Sequence, residues 1–297
     1  MANKTREIKI TTGPNFAAER FVELPAGDYA QQVAILMIDE AGDAYAVKHI
    51  GNKLRVSSMP YLYDIAEGNV SGHEGWELFG YNGDIGTTEE DLWTAGAKYV
   101  WPLAEQQMEV VSTSGDDDGD PAGTGVQTVT IHYLDDDLIE RSTTVTLDGT
   151  TAVDTAVSDI YRVQSLHTAT VGTGGKAAGV ISLRNTAGSV VYAQIAAGYT
   201  ANRGGYYTVP AGKTLFLTTA VLAGFGTAAG VGGFGSIYDS TPAKWREIGR
   251  LPVFANGGTA YAASFNPPLE VPAGYTVRIT SGIASCWAYL TIHGWVE

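Results

Sequence analysis

Cysteine, positive charge and helical periodicity are all scarce in this chain, and each scarcity excludes something. One cysteine in 297 residues leaves no partner for a disulfide within the chain. Cys286 stands in "SCWAYLTI", the setting of a small buried apolar residue. Charged residues make up 17% against 44% hydrophobic, which excludes a disordered chain. Lys and Arg number 18 against 32 Asp and Glu, a formal net charge of −14. Such a chain repels phosphate backbones and anionic membrane surfaces, so neither nucleic acid nor membrane is expected as a partner. The opening "MANKTREIKITTG" has no apolar core of a secretory signal, and none is expected. Residues 215–238, "LFLTTAVLAGFGTAAGVGGFGSIY", carry no charge but hold glycines at 224, 226, 230, 232, 233 and 235. Six glycines make a poor membrane helix, and the stretch reads as a strand followed by a Gly/Ala loop.

Catalytic patterns are missing too. His49, His73, His132, His167 and His293 are scattered, with no His-x-His or H-E-x-x-H pairing, so zinc is unsupported. No G-x-S-x-G elbow occurs. "PAGKT" at 210–214 resembles the end of a phosphate loop, yet residue 207 is Tyr where the first Gly belongs, and a strand-like run follows. "GVGGFG" at 230–235 matches G-x-G-x-x-G outside any βαβ pattern. Carboxylates are plentiful enough for a glycosidase pair, but they concentrate in turn tips and read as solvated surface. Neither a cofactor nor an enzymatic activity is expected. Aromatic residues on strand faces, such as Trp287, Tyr289 and Trp295, would stack on sugars or pack a core or a subunit interface.

What the chain does have is alternation. Turn signals recur about every ten residues, the pattern of an all-β sandwich or barrel. In "VQTVTIHYL", Val129, Ile131 and Tyr133 share one face, with Thr128, Thr130 and His132 on the other. "IERSTTVTL" alternates Ile139, Val145 and Leu147 with Glu140, Ser142, Thr144 and Thr146, and "LDDD" between the two runs predicts a hairpin with an acidic tip. Asp148-Gly149 adds a turn signal, and "GVISLRN" and "SVVYAQIA" flank Thr186–Gly188 as a second strand pair. One device occurs twice, "YTVPAGKTLFLTTA" at 207–220 and "LEVPAGYTVRITSG" at 269–282, with a looser copy at 22–35. In each, Pro-Ala-Gly makes a turn from which an alternating strand departs. Three regions follow: a small N-terminal β unit at 1–57, an extended connector or anchoring segment at 58–95, and a β-sandwich at 96–297 that carries oligomerisation. A short helix is expected near 240–247, with Pro242 in its first turn.

"SGDDDGDPAGTG" at 114–125 poses the sharpest question. Asp116, Asp118 and Asp120 have the D-x-D-x-D spacing of a calcium loop. The sixth loop position, however, is Pro121 rather than Gly, and the twelfth is Gln127 rather than Glu. A calcium site of another kind and an exposed acidic turn both remain open.

Residues from about 61 to 195 resemble a module of tailed-bacteriophage virion proteins. The resemblance is carried by "YDIAEGNVSGHEGWELFGYNGDIGT", "DLWTAGAKYVWP" and "EVVSTSGDDDGDPAGTGVQTVTIHYLDDDLIERSTTVTLDGTTAV". The two PAG segments also look like corners in such proteins, and residues 1–57 lie outside the resemblance. It implies an antiparallel β-sandwich of jelly-roll type, assembled as a homo-oligomer, often a trimer. It further implies a structural role in the virion, with the major capsid protein or another virion protein as partner, and the absence of a signal or disulfide pair in the sequence fits assembly in the host cytoplasm. It supplies no catalytic residues. A decoration, cement or head-fibre protein on the outer surface is the leading expectation, and a tail-associated adhesin for host glycans is the alternative. On that expectation Tyr61, Tyr63, Trp76, Phe79 and Tyr81 are the candidate docking residues, because aromatic side chains concentrate interface energy.

Overall fold

The computed structural model describes the strands Thr5–Ile8, Glu19–Val22, Leu36–Ile38 and Ala44–Ala46, and residues 60–297 apart from 87, 227–229, 240–243, 254–256 and 283–285. The chain divides into two compact units, Met1–Tyr63 and Asp64–Glu297. In the first unit β1 (Thr5–Ile8) pairs antiparallel with β2 (Glu19–Val22), and β3 (Leu36–Ile38) with β4 (Ala44–Ala46). The loose third PAG copy lies outside the described residues.

A short helix, α1 (Pro60–Ala66), precedes the strands of the second unit. The chain then forms β5 (Glu74–Ile85) and β6 (Glu90–Asp91). Seven strands follow: β7 (Met108–Ser112), β8 (Val126–Leu134), β9 (Glu140–Thr146), β10 (Val153–Asp154), β11 (Arg162–Val171), β12 (Ile181–Asn185) and β13 (Val191–Ile195). The last seven are β14 (Tyr206–Thr208), β15 (Leu215–Gly226), β16 (Gly230–Asp239), β17 (Lys244–Val253), β18 (Gly257–Val271), β19 (Thr276–Gly282) and β20 (Cys286–Val296).

The topology is that of a jelly roll interrupted by a second sandwich. One sheet runs β5-β20-β15-β18 and the other β14-β19-β16-β17, with β6 also on β19. Set β6 to β13 aside and count the remaining strands in chain order. The two sheets then read 1-8-3-6 and 2-7-4-5, the strand order of a double-sheet jelly roll. Their inner faces bury Leu78 and Ile85 from β5, Leu215, Leu217 and Leu222 from β15, Val277 and Ile279 from β19, and Ala288, Leu290 and Ile292 from β20. Cys286 is buried in the same core.

The two PAG corners are where the chain changes sheet. From β14 the chain turns through Pro210-Ala211-Gly212 into β15 of the other sheet, and from β18 through Pro272-Ala273-Gly274 into β19. In each turn the proline carbonyl accepts from the amide three residues on, Lys213 at 3.3 Å and Tyr275 at 3.2 Å. Gly212 and Gly274 supply the positive φ, 73° and 79°, that the third turn position demands. The corners lie side by side and hold each other. Val209 donates to the Tyr275 carbonyl and Gly274 donates to that of Val209, both at 2.8 Å, and the Thr208 and Thr276 hydroxyls meet at 2.8 Å.

Strands β7 to β13 form the inserted sandwich, β10-β7-β12-β13 facing β11-β8-β9. Val129, Ile131 and Tyr133 fill its core with Val145, Leu147, Ile181 and Leu183, as the alternation requires. Both expected hairpins form, β8 with β9 and β12 with β13. Ile139, expected on the buried face, instead lies exposed in the turn before β9.

Four expectations need correction. Residues 58–95 are not an extended connector, since 74–85 form an edge strand of the jelly roll and 90–91 pair with β19. Its period of two is hidden because the inward positions after Trp76 and Leu78 are Gly80 and Asn82. Residues 96–297 are not one sandwich but the whole insert plus most of the jelly roll. The expected helix near 240–247 is strand from Lys244 onward, and the Gly/Ala loop after 226 is strand β16 from Gly230. Among the described residues no helix is long and apolar enough to cross a membrane.

Candidate functional site

Three places concentrate chemistry. The first is the acidic loop. Its organising residue is Asp117, the one aspartate of the run that the calcium spacing passes over. Asp117 is fully buried and its carboxylate accepts four hydrogen bonds. Oδ1 receives the amides of Val126 (2.8 Å) and Ala178 (2.9 Å). Oδ2 receives the Ser112 hydroxyl (2.6 Å) and the Gly179 amide (2.8 Å). One side chain thus ties the end of β7, the start of β8 and the approach to β12. Charge-assisted bonds of this kind are roughly twice as strong as neutral ones. Asp116, Asp118 and Asp120 do other work: the Asp116 carbonyl accepts from Gly125 at 2.8 Å, and Asp118 Oδ1 accepts from the Asp120 amide at 2.9 Å. Among the described residues no three acidic, His or Cys side chains are arranged to hold a metal ion, and these three aspartates do not converge on one.

The second is the neck where the insert leaves the jelly roll after β6 and returns at β14. The Leu92 amide donates to the Ile279 carbonyl (2.9 Å), the Ile279 amide to Gly205 (2.7 Å), and the Gly205 amide to Leu92 (2.8 Å). Outgoing and returning chains are thereby bonded to each other and to β19. The crossing admits no side chain, since a Cβ on Gly205 would lie 2.6 Å from the Leu92 carbonyl oxygen. Beside it, buried Asp91 accepts the Tyr99 amide at 2.6 Å and faces buried Arg278 at 3.3 Å, too poorly aligned for a hydrogen bond. Glu89 pairs with the same guanidinium at 3.0 Å. Burial pushes the Asp91 carboxyl up to about 6, outweighing the lowering by Arg278 and by the Tyr99 amide. Aromatic packing completes the joint: Trp93, Tyr99 and Tyr206 cluster with Trp101 and with Val191 of the insert, and Tyr206 donates to the Tyr192 carbonyl at 2.6 Å.

The third is the outer face of the β5-β20-β15-β18 sheet. Phe225 is paired with Trp287 and Tyr289 with Tyr81, while Thr291 lies between Val221 and Phe79. Directly opposed residues share a face, so these rings form one outward-facing group on three neighbouring strands. Phe79, Trp287 and Phe225 are 36%, 40% and 42% exposed. Tyr289 is tilted against Phe79 (5.9 Å) and stacked with Trp287 (6.2 Å).

The five expected docking residues therefore do not form one surface. Phe79 and Tyr81 lie on the outer face, but Trp76 turns inward, packs on the jelly-roll core and meets Tyr207 at 5.0 Å. Alternation along β5 separates them. Tyr81 is partly covered, because the Arg203 guanidinium lies 4.1 Å over its ring and 3.9 Å over that of Tyr199. Tyr63 is 66% exposed on α1, and the Tyr61 side chain lies outside the described residues. Of the three aromatic residues singled out on β20, Trp287 and Tyr289 are accessible, whereas Trp295 is buried and stacks on Phe216 at 5.0 Å. Phe225 was missed, hidden in a glycine-rich run with no visible alternation.

No protein-family model and no curated protein matches this chain. Among solved structures, it is similar to T=1 particles derived from infectious bursal virus, at 10% identity and TM-score 0.18 over 80% of this chain and 78% of that one. The Gx strain of infectious bursal disease virus matches at 10% identity and TM-score 0.19, over 75% and 70% of the two chains. A VP2 subviral particle of infectious bursal disease virus matches at 11% identity and TM-score 0.16, over 80% of each. Such low scores carry no weight, and the fold assignment rests on the strand order.

Two measurements test the buried carboxylates. Asp117→Ala strands three backbone amides and one hydroxyl, so denaturant unfolding should show a loss of about 3–5 kcal/mol. The Asp116→Ala/Asp118→Ala/Asp120→Ala variant should lose much less, and EDTA should leave the wild-type melting temperature unchanged. For Asp91 the folded pKa lies above the unfolded one, so its contribution to stability is full below about pH 4 and is lost as pH rises through 6. Wild-type protein should lose on the order of 2–3 kcal/mol between pH 4 and 7 relative to Asp91→Asn, measured by denaturant unfolding at each pH.

Proposed function

We propose that this chain is a non-enzymatic structural protein of a tailed-phage virion, a decoration, cement or head-fibre protein that seats on the capsid surface and self-associates as a trimer. The observation that carries the reading is the strand order: a 1-8-3-6/2-7-4-5 jelly roll with a complete second sandwich inserted after its first strand. Jelly rolls are wall-building domains in viral capsids, and they also serve lectins and cupins. A fold alone does not fix a function. What favours the capsid reading over a cupin enzyme is the inner face. Leu, Val, Ile and Ala with Cys286 make up its buried core, and none of the described histidines 73, 132, 167 and 293 is buried. The sequence resemblance to phage virion proteins points the same way.

The inserted sandwich gives the protein two bodies with separate tasks, one to seat and one to present. Its connection runs through a neck closed by backbone hydrogen bonds and an aromatic cluster, so load on one body passes to the other. Net charge of −14 favours spaced, soluble copies on a particle over adhesion to nucleic acid. A tail-associated adhesin is the second reading, favoured by the exposed aromatic face.

Cryo-EM reconstruction of particles, with gold-labelled antibody to this chain, tests the proposal. Density for both sandwiches in threefold groups on the capsid exterior is the expected result. Label confined to the tail, or absent from particles, contradicts it.

A further inference from the structure

We infer that the outer face of the β5-β20-β15 strands is a binding platform for an uncharged oligosaccharide chain, with Phe79, Tyr289, Trp287 and Phe225 as its stacking residues. The rings are placed by register rather than by chance exposure. Trp287 and Tyr289 are successive outward positions of β20 and lie within 11° of parallel. Phe79 continues the row from β5, at 38° to Tyr289, and Phe225 stands opposite Trp287 on β15. Between them the register sets smaller side chains, Ala223 beside Tyr289, and Thr291 beside Phe79 with Val221 on its far side. These leave the rings accessible over several neighbouring positions.

A row of flat apolar rings edged by hydroxyls suits a flat amphipathic ligand, one with C–H faces and polar rims. Pyranose chains and nucleic-acid bases both have that form. The net charge of −14 disfavours the phosphate-linked one and any acidic glycan, and leaves the neutral glycan. A second copy of the chain would need roughly 800 Å² of each partner for a standard stable interface, more than four part-exposed rings offer. At the end of the row stand His293 and Glu77, 3.9 Å apart and both largely exposed. They supply a donor and an acceptor for hydroxyl groups where the aromatic floor stops. The inference does not depend on the capsid reading, because such a platform would serve on head or tail.

Native affinity electrophoresis of the full chain tests it, in gels containing soluble neutral glucan, mannan or galactomannan, with an anionic polysaccharide for comparison. At least one neutral polymer should retard the wild type. Trp287→Ala and Tyr289→Ala should each weaken that retardation at least tenfold, and Tyr63→Ala should not change it. Circular dichroism melting checks that the variants fold, and Phe225→Ser offers a milder change on the same face. Retardation by none of the neutral polymers overturns the inference, as does retardation unaltered in folded variants. If Trp287→Ala instead lowers the sedimenting mass without touching retardation, the face is a contact between copies and the glycan platform is wrong. Particle imaging is a separate measurement, so failure here and failure of the capsid reading are distinguishable.

Discussion

A sandwich inserted into another domain's first connection requires the chain to leave and return at one point. The structure meets that constraint with three backbone hydrogen bonds among Leu92, Gly205 and Ile279. The neck fixes which residues stand around it. Gly205 has no room for a Cβ, and neither does Gly80 on β5, where one would lie 2.7 Å from the Leu92 carbonyl oxygen. Buried Asp91 and Arg278 face each other there because the same crossing brings β6 onto β19. Side chains then reinforce the backbone. Gln164 of the insert both donates to the Thr208 carbonyl and accepts its amide at 3.1 Å, standing in for a strand neighbour of β14.

Above the neck, the two sandwiches are stabilised by different means. The jelly roll relies on paired corners, two copies of one turn that bond to each other where the chain changes sheets. The insert relies on a buried carboxylate. Asp117 gathers the amide of nearby Val126 and those of Ala178 and Gly179, 61 and 62 residues away, and a buried charge is tolerated only when its hydrogen bonds are filled. An acidic loop that looks like surface decoration therefore contains the insert's most buried polar anchor, with its exposed neighbours turned away from it.

How much of this could be read in the sequence follows from which signals are local. Alternation in "VQTVTIHYL" placed Val129, Ile131 and Tyr133 correctly because strand period depends on nothing beyond the strand. The PAG corners were legible for the same reason, although their role in switching sheets was not. The interruption of the jelly roll escaped, because 120 residues separate β5 from β14 and only long-range pairing, β5 with β20 and β14 with β19, brings both into one fold. Asp117 escaped because its partners, Ala178 and Gly179, are distant in sequence. The docking candidates lie on different faces. Phe79 and Tyr81 reach the surface, but Trp76 could be assigned inward only once 74–85 was known to be a strand.

The central claim is that the neck joins the two sandwiches into one cooperative body. Native-state hydrogen exchange across increasing denaturant tests it most directly. The amides of Leu92, Gly205 and Ile279 should exchange only with global unfolding, at the same free energy as the core of β8 and of β20. If these three exchange within minutes while β8 and β20 stay protected, the neck is a loose tether and the account is wrong.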